Sequence, residues 1–103
     1  MATVMLIQRD VKAKNMQEVI DLLRQLRAKA LKQPGYLTGE TLFSPDKVGS
    51  HVVVSRWRNL SDWRDWEAND ERKQLEKKMA ALLVSPAVVS VYSDAPSMLA
   101  EDA

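Results

Sequence analysis

The chain contains no cysteine, a single histidine and only three glycines in 103 residues. Without cysteine there is no disulfide, no thiolate nucleophile and no thiolate ligand for a metal ion. Acidic and basic residues nearly balance, at 14 and 15. No basic stripe with interleaved aromatic residues is present, which argues against a nucleic-acid partner. The length is that of one small domain.

Long apolar runs are also lacking. The first apolar stretch, near the N-terminus, ends at Gln8 and is followed by Arg9 and Asp10. It is too short for the apolar region of a signal peptide or for a membrane-spanning helix. We therefore expect a cytoplasmic protein that does not insert into a membrane.

Apolar periodicity and turn residues divide the chain into six elements. Asn15, with Glu18 three residues later, is expected to cap the first helix, and Ser61 the second. The Ala-Asn-Asp segment at 68–70 is expected to kink or restart that second helix. The predicted strands cover residues 4–11, 36–43, 51–57 and 86–92, and the predicted helices begin near residues 16 and 61.

The order of these elements is β-α-β-β-α-β. It predicts a ferredoxin-like α+β fold, in which both helices lie on one face of a four-stranded antiparallel sheet. We expect a single domain over residues 1–95 and a flexible C-terminal tail over residues 96–103.

The predicted strands carry apolar residues on both faces. In the third strand, Val52 and Val54 point to one side and Val53 to the other. Because two helices cover only one face, we expect the sheet of a second copy to cover the other, which predicts a homodimer through the sheet faces. The alternative is that these valines reflect β-propensity on a partly exposed face.

Two segments, QPGYLTGETLF and VVVSRWRNLSDWRDW, together with the order of elements resemble the antibiotic biosynthesis monooxygenase superfamily. The resemblance covers about residues 3–93. It implies a dimeric α+β barrel with a pocket between the sheet and the helices of each subunit. Members include cofactor-independent monooxygenases of polycyclic phenols, heme-degrading monooxygenases, quorum-signal enzymes and domains of no known activity.

The resemblance also suggests which residues to compare with the heme-degrading members. Those proteins use an asparagine on the first strand, a tryptophan on the short helix and a histidine on the long helix. The corresponding positions here look like Gln8, Trp66 and Glu76, so only the tryptophan matches. Because glutamate is a poor ligand for heme iron beside histidine, heme degradation is disfavoured.

All three tryptophans fall within the ten residues from Trp57 to Trp66. Trp63 and Trp66 are three residues apart on a helix and share a face. We expect Trp57 in the core, Trp66 beside a cavity, and Trp63 along the edge of the helix, although a core position is equally open for it. The functional interpretation is that Trp66 and Trp63 bind a flat ligand. The structural alternative is an aromatic plug that holds the short helix to the sheet.

Gln8, His51 and Glu76 are the candidate catalytic residues. His51 is a candidate general base, since the unperturbed pKa of histidine lies near about 6.5. Glu76 is a second candidate base, and Gln8 a candidate donor to a substrate or an oxyanion. Each has a structural alternative: a solvated histidine at a strand end, a glutamate on a solvated helix face, and a glutamine satisfied internally. No metal-ligand cluster, phosphate-binding loop or nucleophile motif is present.

These observations predict a small enzyme of the monooxygenase-like superfamily. It would bind a planar or phenolic molecule and oxidise it with dioxygen, with no cofactor and no metal ion. The alternative is a non-catalytic binding or interaction module on the same fold.

Overall fold

The computed structural model describes residues 2–95, and the tail predicted at 96–103 lies outside the described residues. The elements follow the predicted order, with the second helix split in two. They are β1 (Thr3–Asp10), α1 (Met16–Ala30), β2 (Tyr36–Phe43), β3 (Ser50–Trp57), α2 (Leu60–Glu67), α3 (Asp70–Ala80) and β4 (Val88–Ser93). None of the helices in this part of the chain is long and apolar enough to cross a membrane.

The four strands form one antiparallel sheet in the order β2-β3-β1-β4. β2 and β3 pair as a hairpin, and β1 lies between β3 and β4. In β1, Ile7 is opposite Val53 on one side and Val89 on the other. The helices pack on one face of this sheet, so the predicted ferredoxin-like α+β fold is confirmed.

Alternation along β1 decides which of its residues meet the helices. Thr3, Met5, Ile7 and Arg9 are buried, whereas Gln8 is exposed on the opposite face. At this end of β1 the polar residue that faces the helices is therefore Arg9. Gln8, which the sequence places among the candidate catalytic residues, lies on the other side of the sheet.

Both α2 and α3 begin with an asparagine cap. Asn59 Oδ1 accepts a hydrogen bond from Asp62 N–H at 2.8 Å, and Asn69 Oδ1 accepts one from Arg72 N–H at 3.1 Å. The prediction that Ser61 caps the helix is wrong, because Asn59 leaves β3 in the extended conformation that a cap requires. The helix restarts at Asn69, as predicted.

The start of α1 also differs from the prediction. Asn15 precedes the helix, but its side chain makes no capping hydrogen bond. The reason is a short 3-10 turn (Ala13–Asn15) that leads into α1 and leaves Asn15 at φ −101° and ψ 5°, outside the extended region.

A glycine turn places α2 next to the start of β2. Gly35 has φ +80°, and a Cβ atom there would collide with the side chain of Asp62. The carbonyl of Gly35 accepts a hydrogen bond from Arg58 N–H at 2.7 Å. These contacts bring α2 to the end of the sheet where Tyr36 pairs with Trp57.

The core lies between the helices and the inner face of the sheet. Burying each large apolar side chain there contributes about 1.5–3 kcal/mol relative to leaving it exposed. The buried apolar residues are Met5, Ile7, Val11, Val19, Leu22, Leu26, Ala30, Trp57, Trp63, Trp66, Leu75, Met79 and Leu83.

The second face of the sheet, which we call the outer face, is not covered by any of the elements in residues 2–95. Val88 and Tyr92 on the edge strand β4 are 58% and 56% exposed, and Leu42 on β2 is 49% exposed. Between these edges lie Val4, Leu6, Val52 and Val54, which are partly exposed. The helices thus cover one face only, as predicted.

Candidate active site

A cavity of about 50 Å³ lies between the inner face of the sheet and the helices. All three tryptophans and Tyr36 contribute to its walls. Its charged lining consists of Arg9 from β1, Arg27 from α1, and Arg72 and Glu76 from α3. The cavity thus combines an aromatic wall with a charged end, and six different elements position its side chains.

Trp57 is at the centre of the aromatic wall. Its ring packs edge-on against Tyr36 with the centroids 5.2 Å apart, and against Trp63 with the centroids 5.9 Å apart. Its Nε1 donates a hydrogen bond to Ser55 Oγ at 3.1 Å. Because edge-to-face pairs add about 0.5–1.5 kcal/mol each beyond their buried area, the orientation of this ring is well fixed.

The predictions for the tryptophans are met at two of three positions. Trp57 is buried in the core and Trp66 lies beside the cavity. The edge position predicted for Trp63 is wrong, since this residue is only 1% exposed. The start of α3 covers it, with the guanidinium carbon of Arg72 at 5.2 Å from the ring centroid.

The charged end of the cavity is an ion cluster formed by Arg9, Arg72 and Glu76. Arg9 Nη2 donates a hydrogen bond to Glu76 Oε1 at 2.6 Å, and Arg72 Nη2 lies 3.6 Å from the same oxygen. The side chain of Arg9 is 1% exposed and that of Glu76 is 23% exposed. Burial lowers the pKa of Arg72 and Glu76 opposes that shift, but a guanidinium stays charged in proteins. One carboxylate therefore faces two buried cations.

His51 lies behind Arg9 and is buried, not solvated. Arg9 Nη1 lies 3.4 Å from His51 Nε2. Because a guanidinium only donates, Nε2 must accept, and the imidazole proton is then on Nδ1, which is buried without a partner. Burial, and next the charge of Arg9, lower the pKa of His51 to about 4, although Asp10 opposes this shift. The imidazole is therefore neutral at pH 7 and holds Arg9 in place.

The structure thus brings some of the candidate residues together and separates others. Glu76, Trp63 and Trp66 line one cavity, and His51 contacts it through Arg9. Gln8 lies on the outer face instead. Sequence reasoning missed Arg9 and the cavity-lining arginines of the helices, although a charged residue in phase with Met5 and Ile7 on an apolar strand is a usable signal.

Two buried hydrogen-bond donors on the cavity lining have no partner among the residues that the structure describes. They are Arg9 Nε and Trp63 Nε1. Both atoms carry a proton and neither can accept a hydrogen bond. A buried polar group without a partner is costly, so this part of the cavity favours a guest that presents acceptor oxygens.

The residues of this cavity do not fit heme. The position that the resemblance assigns to the axial histidine is Glu76, whose carboxylate is already paired with Arg9. The only histidine of the chain, His51, is enclosed behind Arg9. The described residues also contain no cluster of three or more His, Asp or Glu side chains suited to a metal ion.

A family model described as antibiotic biosynthesis monooxygenase matches residues 2–78. The chain therefore belongs to this family, as the sequence predicts. Comparison with curated proteins gives no match.

Solved structures with the same fold come from distant relatives. SnoaB, a cofactor-independent oxygenase from Streptomyces nogalater, has 16% identity and a TM-score of 0.81, over 94% of this chain and 96% of that one. Rv0793 from Mycobacterium tuberculosis has 14% identity and a TM-score of 0.83, over 95% and 99%. A conserved protein from Methanosarcina mazei has 16% identity and a TM-score of 0.84, over 88% and 90%. At such identities the likeness establishes the fold.

Proposed function

We propose that this chain is a monooxygenase-like enzyme that oxidises a small planar or phenolic molecule with dioxygen, without a protein-bound cofactor. The observation that carries the proposal is a cavity with an aromatic wall and a buried ion cluster at one end. Membership of the antibiotic biosynthesis monooxygenase family supports the reaction class. The description of SnoaB as a cofactor-independent oxygenase supports the absence of a cofactor.

In this chemistry the substrate supplies the electrons. Removal of a proton from a phenol or an activated carbon gives an anion that reduces dioxygen. One oxygen atom enters the product and the other leaves as water. The protein binds the ring, accepts the proton and keeps bulk water away from the reacting carbon.

Glu76 is the group that accepts this proton. It lines the cavity, and its side chain is 23% exposed, so a proton taken from the substrate can pass on to solvent. His51 does not line the cavity and acts by holding Arg9. Gln8 has no part in this step, since it lies on the outer face.

A ring system needs more room than the present cavity offers. About 50 Å³ holds one or two water molecules, each of which takes about 30 Å³ in liquid water. Leu23 and Arg27 also line a neighbouring open groove of about 370 Å³ between α1 and β2. Arg27 is held across it by one hydrogen bond, from Nη2 to Thr41 Oγ1 at 2.9 Å. Displacement of Arg27 joins the two spaces and gives the volume that a planar ligand requires.

The functional unit in this proposal is a homodimer. A second copy packs its sheet against the outer face and covers residues such as Val54 and Tyr92. An apolar face of this extent is unfavourable in water, and a stable interface buries on the order of 800 Å² per partner.

A second candidate is a binding module without catalysis. It is favoured by one observation, namely that the Glu76 carboxylate is already engaged by Arg9 at 2.6 Å and by that contact is not free to meet a substrate. The two candidates predict the same ligand contacts and differ only in turnover.

Dioxygen consumption separates them. The protein is incubated with a panel of phenols, hydroquinones and polycyclic phenols, and products are analysed after labelling with ¹⁸O₂. If the chain is an enzyme, we expect uptake of dioxygen and one labelled oxygen in the product. Glu76→Gln should slow turnover while its circular dichroism spectrum stays native. Binding of aromatic compounds without any dioxygen uptake across the panel would contradict the enzyme and favour the binding module.

A further inference from the structure

The charges around the cavity do not balance. Among residues 2–95, Arg9, Arg27 and Arg72 line it, and Glu76 is the only acidic side chain that does so. His51 adds no charge at neutral pH, because its pKa lies at about 4. The cavity therefore has an excess of positive charge. Because a buried cation without a counter-ion is costly, an anion bound there would be favourable.

The unpaired hydrogen-bonding groups point the same way. Arg9 uses one terminal nitrogen on Glu76 and lies with the other near His51, while its Nε–H has no partner. The Nε1–H of Trp63 has none either. On the cavity-lining residues that the structure describes, both unpaired buried side-chain atoms are therefore donors.

We infer that the cavity selects planar aromatic ligands that carry an anionic oxygen group, either a carboxylate or an ionised phenol. Its oxygens accept hydrogen bonds from Arg9 and Arg72, and its ring lies against the tryptophans. This inference deepens the proposed function, on which it rests for the location of the ligand, and it names the chemical class that the same cavity takes.

If the arginines had a purely structural role, we would expect fewer of them around the cavity. A single carboxylate needs one guanidinium, and Arg9 already supplies it at 2.6 Å. Arg72 lies at 3.6 Å from the same oxygen, which is too long for a hydrogen bond. Arg72 Nη1 donates a hydrogen bond to the Glu67 carbonyl at 3.4 Å, so Nη2 is the terminal nitrogen that retains donor capacity for an incoming anion.

Calorimetric titration with a matched pair of ligands tests the inference. 2-Naphthoate and its neutral isostere 2-naphthamide have the same ring and differ in charge. The wild-type protein should bind the anion at least about tenfold more tightly, since a charge-assisted hydrogen bond of about 1.5–3 kcal/mol corresponds to about that ratio or more. Equal affinities for the two compounds would overturn the inference.

Two variants test whether the preference for the anion comes from the cavity. Arg72→Gln should remove most of the preference for the anion. Arg64→Gln is the matched control, because the Arg64 side chain is 53% exposed and lines neither the cavity nor the open groove, and it should leave the preference intact. Equal effects of these two substitutions would mean that general surface charge attracts the anion, and would overturn the assignment.

Glu76→Gln gives a prediction of opposite sign. It removes the competing carboxylate, so naphthoate should bind several-fold more tightly and naphthamide about as before. A loss of naphthoate affinity in this folded variant would contradict the inference even if Arg72→Gln failed to fold.

The source of the anionic oxygen is resolved by 2-naphthol. If the cavity also takes ionised phenols, the ultraviolet absorbance of bound 2-naphthol should show the ionised form at a pH where the free compound is neutral. If only naphthoate binds, the ligand class is the carboxylate. If neutral phenols are oxidised but the cavity shows no preference for anions, the proposed function survives and this inference fails. If anions are preferred but no dioxygen is consumed, this inference survives and the proposed oxidation fails.

Discussion

Arg9 and Glu76 are 67 residues apart in the sequence, yet Arg9 Nη2 donates a hydrogen bond of 2.6 Å to Glu76 Oε1 inside the helix–sheet layer. This contact joins the central strand β1 to α3 beneath the tryptophans. It links stability to the proposed function, because the same carboxylate neutralises a buried cation and lines the cavity.

A double-mutant cycle tests this link. Glu76→Met should lower the free energy of unfolding by about 3–5 kcal/mol, since it leaves the buried Arg9 without a counter-ion. Arg9→Met should cost less, because Glu76 keeps Arg72 at 3.6 Å and is partly exposed. The double variant should lose less than the sum, by about 1–3 kcal/mol. Urea denaturation of the four proteins gives these values. Strictly additive losses would show that the two side chains do not depend on each other.

The pH dependence of stability should report His51. Its pKa is about 4 in the folded chain and 6.5 for the free side chain, so between these values the unfolded chain binds a proton that the folded chain does not. Stability should therefore fall as the pH drops from about 6.5 to about 4, by at most about 3 kcal/mol, and this loss should level off below that.

The control for this effect is His51→Gln, which should lower stability at neutral pH but flatten the curve between pH 6.5 and 4. Since the chain has one histidine, its imidazole signals in a nuclear magnetic resonance spectrum need no assignment. They should not titrate between pH 7 and 5. A midpoint near the ordinary value would show that His51 is solvated.

The order of elements and the family could be predicted from the sequence, because apolar periodicity, turn residues and the tryptophan-containing segment all agree. Which face of the sheet packs against the helices could not be predicted. Val4 and Leu6 on one face of β1 are as apolar as Met5 and Ile7 on the other. Alternation alone therefore does not say whether the helices meet Gln8 or Arg9.

The ion cluster could not be predicted from the sequence for a different reason. A charged residue such as Arg9 is normally expected in water, and only a distant partner makes its burial favourable. That partner is on α3, in a run of charged residues that reads as a solvated helix face. Similarly, Trp63 and Trp66 lie only about 60° apart around a helix axis. Whether the first of them is exposed depends on α3, whose Arg72 packs over its ring.

Alanine substitutions should rank the tryptophans. Trp57→Ala should cost about 3–5 kcal/mol of stability, because Trp57 packs against Tyr36 and Trp63 on a fully buried site. Trp63→Ala should cost nearly as much. Trp66→Ala should be the mildest of the three and should weaken the binding of flat aromatic compounds. Thermal or urea unfolding and a ligand titration measure both effects. A global loss of folding in Trp66→Ala would favour the structural plug.

A single lysine should separate the proposed dimer. Val54 lies on the outer face near the middle of the sheet, so Val54→Lys would bury an unpaired charge between two copies. We expect sedimentation at micromolar concentration to give twice the chain mass of 11.7 kDa for the wild-type protein and that mass itself for the variant. Val48→Lys, at a turn residue that is 78% exposed, is the control and should stay dimeric. A monomeric wild-type protein would contradict the dimer.

Arg27 should control how a ring system reaches the cavity. Its side chain lines both the cavity and the open groove beside it, and the hydrogen bond to Thr41 Oγ1 is weak compared with the ion pairs nearby. Arg27→Ala should cost only about 1 kcal/mol of stability, which is typical for the loss of one hydrogen bond. It should also raise the association rate of two-ring ligands more than that of one-ring ligands, as measured by stopped-flow fluorescence of the tryptophans. Arg64→Ala, on α2 and 53% exposed, changes an arginine that lines neither the cavity nor the groove and should leave both rates unchanged. If Arg27→Ala changes neither rate, ligands reach the cavity by another route and the open groove has no part in binding.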